Sequence, residues 1–214
     1  MTEANRRYSV YLPPGYSTET KYPVLYLLHG SGDDETSWNT KGAAAVILDN
    51  LLADKKIVPM VVVMPYGFAK KPGGRFGFAT FGEDLLEEVI PSVESKYSVK
   101  ADRDNRAIAG LSMGAAQSLL VGLGNLDRFA WIGAFSGANF SGPQSDYLKD
   151  PEGARTKLKL LWLSCGEGDN ENILQKMADL HKLLEEQKVP HLHLIGPGKR
   201  IARPMALPQA SADG

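Results

Sequence analysis

Cysteine is all but missing: Cys165 stands alone among 214 residues, so no internal disulfide can staple the fold. An excess of one charge is missing too. Lysine and arginine number 24 against 25 acidic residues, and a net charge of -1 leaves no electrostatic footprint for a nucleic-acid backbone or an anionic lipid surface. No apolar run suits a membrane. The longest goes from Ile57 to Ala69, is broken by Pro59 and Pro65, and falls short of the ~18 residues that mark a spanning helix. The start, Met1-Thr-Glu-Ala-Asn-Arg-Arg7, has no apolar signal core, so the chain as written reads as cytoplasmic, with secretion of a parent protein left open. A phosphate loop ending in Gly-Lys-Ser/Thr is absent, and Gly122-Leu-Gly124 lacks the third spaced glycine of a dinucleotide site, which makes nucleotide binding a poor reading. Histidine is scarce: there are four, and none follows His193. Gly (22) and Pro (13) together stay below the ~25–30% of low-complexity chains, which excludes disorder and collagen. The length favours one large domain over two.

What is present is an alternation of short apolar runs with longer segments of helical spacing, the pattern of an α/β fold. Residues 9–12 alternate at period two and stop at Pro13-Pro14-Gly15, as a half-exposed outer strand does. Five further runs, 24–28, 60–64, 107–109, 131–135 and 160–163, are nearly all apolar, as expected of parallel strands covered on both faces. Residues 192–195 make a shorter candidate for the last strand. Helices are predicted over 43–53, over 83–97 with a kink at Pro91, over 115–123, and over 170–187 with asparagine as the cap. No repeat or linker interrupts the series.

The chemistry concentrates at Ala107-Ile-Ala-Gly110-Leu-Ser112-Met-Gly114, where a buried strand passes through G-x-S-x-G into a helix, the signature of a nucleophile elbow. Serine is held there in a strained turn, and glycines two residues to either side let neighbouring backbone pass. The competing reading is a glycine-rich turn with an incidental serine. An attacking serine needs donors for the oxyanion, and the buried strand ending in His29-Gly30-Ser31-Gly32 offers a second loop: the donors would be the N–H groups of Ser31 and Met113. His29 reads as a brace of that loop rather than as a base. The acid should follow on a later strand end, where Asp169 lies, with Glu167 as its neighbour and competitor and helix capping as the plainer use of Asp169. Cys165 reads as a small core residue without an activating partner.

Together these segments resemble the α/β-hydrolase esterases, the family of feruloyl and acetyl-xylan esterases, with S-formylglutathione hydrolase and mycolyl transferases more distant. The resemblance runs from about Arg7 to Ile195 and rests on Tyr8-Ser-Val-Tyr-Leu-Pro-Pro-Gly-Tyr16, Leu27-Leu-His-Gly-Ser-Gly32, Asp104-Asn-Arg-Ala-Ile-Ala-Gly-Leu-Ser-Met-Gly114 and the stretch 160–169. It implies a mostly parallel sheet flanked by helices, without the family's last helix. By the same resemblance Ser112 is the nucleophile, Asp169 the acid, and Ser31 and Met113 the oxyanion hole. It further implies that neither cofactor nor metal takes part, and that the substrate is a small ester or an acylated plant polysaccharide. Trp38 and the stretch Phe76-Gly-Phe78-Ala-Thr-Phe81 are candidate walls of the acyl pocket, against the plainer reading of core aromatics.

The chain departs from that pattern at its end. The family's catalytic histidine sits in a loop downstream of the aspartate, where this chain has Ile195-Gly-Pro-Gly-Lys199. Residues 1–195 thus read as the hydrolase domain and 196–214 as a tail foreign to it, without the spacing of a final helix; the family's extra strand before Arg6 is also missing. His193 and Lys199 are the candidate substitutes for the base, though Leu192 and Leu194 place His193 on a strand face. His181 reads as a boundary residue of its helix. His191 and His193 share a strand face and read as polar surface, with a metal pair as the alternative. The lost histidine keeps a second function class open, a hydrolase-fold protein that binds without turnover.

Overall fold

In the computed structural model, which describes residues 6–70, 77–139 and 142–197, the apolar runs assemble into one sheet of seven strands. The period-two segment forms β1 (Tyr8–Tyr11), antiparallel to β3 (Val61–Pro65) at the sheet's edge. The buried runs form β2 (Val24–Leu28), β3, β4 (Arg106–Leu111), β5 (Trp131–Phe135) and β6 (Leu160–Gly166), all parallel, and β7 (Leu192–Gly196) adds to β6. The order is β1-β3-β2-β4-β5-β6-β7. Such crossovers place helices on both faces, which is why the inner strands need no polar side.

Alternate side chains sort into two cores. Tyr26, Leu28, Val63, Ile108, Ile132 and Leu161 face α3 (Phe78–Asp84), α4 (Ile90–Lys96), α5 (Met113–Gly124) and α7 (Glu171–Glu186). Leu25, Val62, Met64, Ala109 and Phe135 face the other way, toward Ala45, Leu48 and Leu52 of α2 (Ala44–Ala53). Two further helices, α1 (Ser37–Thr40) and α6 (Pro151–Lys157), complete the set of α-helices among the described residues.

The segment expected to be one kinked helix over 83–97 is continuous but not uniform. It begins earlier, as α3, passes through a π-turn at Leu85–Val89 and continues as α4. Pro91 has no N–H to give and crowds the carbonyl four residues back, and the wider turn just before it absorbs that mismatch. Asn170 caps α7 as read from sequence, its Oδ1 accepting the Ile173 N–H at 2.9 Å. The tail enters the description only as far as Pro197. Residues 1–5 and 198–214, and with them Lys199, lie outside the described residues, as does Phe76. No described helix is long and apolar enough to cross a membrane.

Candidate active site

Five loops meet at the carboxyl ends of the parallel strands, where open α/β sheets place their ligands. Ser112 leaves β4 with φ 55° and ψ -112°. Those angles fall outside even the left-handed helical well, so the turn is strained. The surrounding glycines explain why it forms: a Cβ on Gly110 would meet the backbone of Gly114 at 2.4 Å, and one on Gly114 would meet the Leu28 carbonyl at 2.5 Å. The turn is pinned by the Ser112 N–H donating to Phe135 O at 2.9 Å, and Met113, buried, opens α5 with the free N–H groups of a helix start.

The β2 loop lies across from it. A Cβ on Gly30 would sit 3.6 Å from both Ser112 Cβ and Leu111 O, so the two loops lie about one methyl group apart, and Ser31 follows exposed. His29 holds this loop. Its Nε2 accepts the Gly67 N–H at 2.8 Å, and its Nδ1 lies 2.8 Å from the Gly30 carbonyl, which can only accept. Nδ1 therefore carries the proton, both ring nitrogens are engaged, and the residue cannot relieve Ser112 of a proton. Gln117 donates to Gly67 O at 2.9 Å and clamps the β3 loop from its other side.

Asp169 follows β6. Its Oδ2 accepts from Ser136 Oγ at 2.7 Å and from the Gly166 N–H at 2.9 Å, while the helix-capping role that competed for it belongs to Asn170. The competing Glu167 is exposed and engages β7 through its backbone, its N–H donating to Gly196 O at 2.9 Å. Sequence reasoning missed Ser136 and Gly137. Ser136 is fully buried with φ 49°, and a Cβ on Gly137 would meet Ser112 O at 2.4 Å, so one two-residue loop buttresses both the elbow and the acid. The available signal was a Ser-Gly pair directly after a buried strand, the position that His29-Gly30 occupies after β2. Cys165 is buried as expected, and burial together with the nearby Asp169 carboxylate pushes its thiol up.

The candidate substitute base His193 is not brought to Ser112. It pairs in register with Leu163, three strands from β4 at ~4.8 Å per strand, and its ring packs against His181 with centroids 4.2 Å apart and planes tilted by 30°. Burial and the neighbouring imidazoles hold its pKa below the ordinary histidine value. With His29 engaged and His181, His191 and His193 clustered together, all four histidines are placed and none is free to serve the elbow.

A cleft of about 390 Å³ opens beside the elbow between Leu111 and the loop bearing Gly30, Trp38 and Lys41. Trp38 thus stands in the cleft, and its buried Nε1 has no partner among the described residues. Of the other proposed wall aromatics, Phe81 is wholly in the core and Phe78 packs against it, because their helix turns that face to the sheet. A second groove, of about 670 Å³, lies at the opposite strand ends around Trp131 and Lys159 and holds none of these groups.

The Esterase family model matches residues 1–194. An endo-1,4-beta-xylanase/feruloyl esterase of Xylanibacter ruminicola is 39% identical over 183 residues, covering 81% of this chain and 24% of that protein. The endo-1,4-beta-xylanase Y of Acetivibrio thermocellus is 34% identical over 140 residues, covering 60% of this chain and 13% of that one. The chain thus spans about a quarter or less of these relatives' lengths. Among solved structures, a ferulic acid esterase from Anaeromyces mucronatus, in complex with ferulic acid, superposes with a TM-score of 0.79 at 28% identity, covering 92% of this chain and 82% of that one.

Proposed function

Because the chain belongs to the Esterase family and has the α/β-hydrolase fold, we propose that it is a serine carboxylic-ester hydrolase of the feruloyl-esterase type, acting on aromatic acyl esters of plant polysaccharide. The observation that carries this reading is Ser112, strained at its turn and set 3.6 Å from the position of a Gly30 Cβ. Support for the substrate class comes from the relatives, one named for xylanase and feruloyl esterase together and one solved with ferulic acid.

In this reading Ser112 Oγ bonds to the ester carbonyl carbon, the carbonyl oxygen becomes an oxyanion received by the N–H groups of Ser31 and Met113, and the alcohol leaves with a proton. Water then attacks the acyl-serine and releases the acid. Asp169, held by Ser136 and Gly166, is the carboxylate that would orient a base. No imidazole is hydrogen-bonded to it, the four histidines being engaged elsewhere. In a serine protease, loss of the triad histidine costs ~10⁶-fold in kcat, yet ~10³–10⁴ over water survives from the oxyanion hole and binding. Slow acylation with intact binding is expected here.

The test is fluorophosphonate labelling, with p-nitrophenyl acetate and methyl ferulate hydrolysis, of the chain and of Ser112→Ala. Labelling and residual hydrolysis should both vanish in the variant. Equal traces from the two proteins would refute the reading. Replacing the segment after Ile195 with a histidine-bearing one from a relative should raise turnover by orders of magnitude.

A further inference from the structure

The histidines that the ester chemistry leaves unused are themselves organised. His181 lies on α7, Glu185 one turn further along the same face, and His181 Nε2 is 3.6 Å from Glu185 Oε1. On the other side of the ring, His181 Nδ1 lies 2.8 Å from His191 Nε2, and His191 Nδ1 lies 2.8 Å from the Val189 carbonyl. A carbonyl only accepts, so in the neutral relay His191 carries its proton on Nδ1 and accepts at Nε2, and His181 must donate from Nδ1. That assignment leaves His181 Nε2 with a lone pair facing the exposed Glu185 carboxylate.

Two donors 3.6 Å apart, each about 2.1 Å from a shared ion, subtend roughly 120° at it, within the range that tetrahedral zinc accepts. The rest of the arrangement is what a metal-bound imidazole requires, its second N–H given to an acceptor that fixes tautomer and ring orientation. From this geometry we infer that His181 Nε2 and Glu185 Oε1 form a two-point chelate for a borderline divalent cation of the Zn²⁺ kind. His191 is the outer partner that orients His181, and water completes the coordination.

His193 packs against His181 with its ring tilted by 30° and makes no third ligand. Among the described residues no set of three or more His, Cys, Asp or Glu donors converges on one point. The ion is therefore exchangeable rather than structural. A hard cation such as Mg²⁺, which favours all-oxygen shells, should not compete. The inference is independent of the ester chemistry, since the site lies at the opening end of β7, away from Ser112.

Calorimetric titration of Zn²⁺ into the untagged chain should show saturable binding of one ion, with no comparable signal from Mg²⁺ and a rise in Tm. Binding should be lost in His181→Ala and in Glu185→Gln, the latter an exposed position whose variant will fold. In His191→Ala it should weaken by ~10–100-fold, the usual effect of removing an outer partner. Absence of saturable binding up to millimolar Zn²⁺, or equal binding by Glu185→Gln and the unaltered chain, would overturn the inference.

Discussion

Replacing Ser112 by glycine and by alanine should reverse the usual stability order of those two residues. At φ 55° and ψ -112° any side chain is strained, at a cost of about 1–3 kcal/mol. Alanine keeps the Cβ and so keeps the strain, and it loses no cap, because the Ser112 side chain caps nothing in α5. Glycine removes the strain but adds freedom to the unfolded chain, which costs about 0.5–1 kcal/mol against alanine. The difference leaves Ser112→Gly more stable than Ser112→Ala by about 1 kcal/mol at mid-range and at most about 2.5 kcal/mol, where an ordinary helix or strand position gives the opposite sign. Urea unfolding at constant m-value reads this directly as a shift in midpoint, and fluorophosphonate labelling, lost in both variants, confirms that each has removed the nucleophile. If Ser112→Ala proves as stable as Ser112→Gly or more so, the turn is not strained and the argument for a nucleophile elbow fails.

Gly114→Ala drives a Cβ to 2.5 Å from the Leu28 carbonyl and 2.7 Å from that of His29, backbone atoms that cannot swing aside. The expected cost is about 3 kcal/mol or more, the upper end for overpacking, with slower labelling of Ser112, measured by urea unfolding and labelling rate. Ser136→Ala removes a donor to a carboxylate inside a buried loop, which should lower stability by about 1.5–3 kcal/mol, whereas Ser145→Ala, outside the site, should be nearly neutral. Cys165, buried and with its thiol pushed up, should resist a disulfide reagent in the native protein and react once urea unfolds it. Rapid native reaction would contradict its placement under Asp169.

How much of this was legible in the sequence depended on whether the cause was local. The elbow could be read because its demand for small residues falls at fixed offsets, Gly110 and Gly114, within one strand-to-helix turn. The inner strands could be read because a strand covered on both faces has no polar side to offer. Ser136 was not legible, since its partner Asp169 is 33 residues away and only the adjacency of β5 and β6 brings them together. Nor was the clamp on Gly67, built by His29 and Gln117 from two different elements. The histidine cluster shows both limits at once: Leu192 and Leu194 correctly put His193 on a strand face, but nothing in the sequence says which helix covers that face, and it is α7 that sets His181 against His193 and His191.

The same contacts bear on what the absent imidazole does to the site. From one strand end to the next, the Gly67 N–H meets His29, Gly30 lies about one methyl group from Ser112, Gly137 packs on the Ser112 backbone, Ser136 binds Asp169, and the Glu167 N–H binds Gly196 of β7. None of these contacts passes through a catalytic base. On the proposed reading, Ser112 and the loop at Gly30 that leads to Ser31 are therefore held by backbone and buried side chains whether or not a proton acceptor is present, and preorganisation of this kind costs nothing at the moment of reaction. Loss of the base should accordingly appear in kcat with KM little changed, because the groups proposed to bind ester and oxyanion are fixed independently of the group that would move the proton.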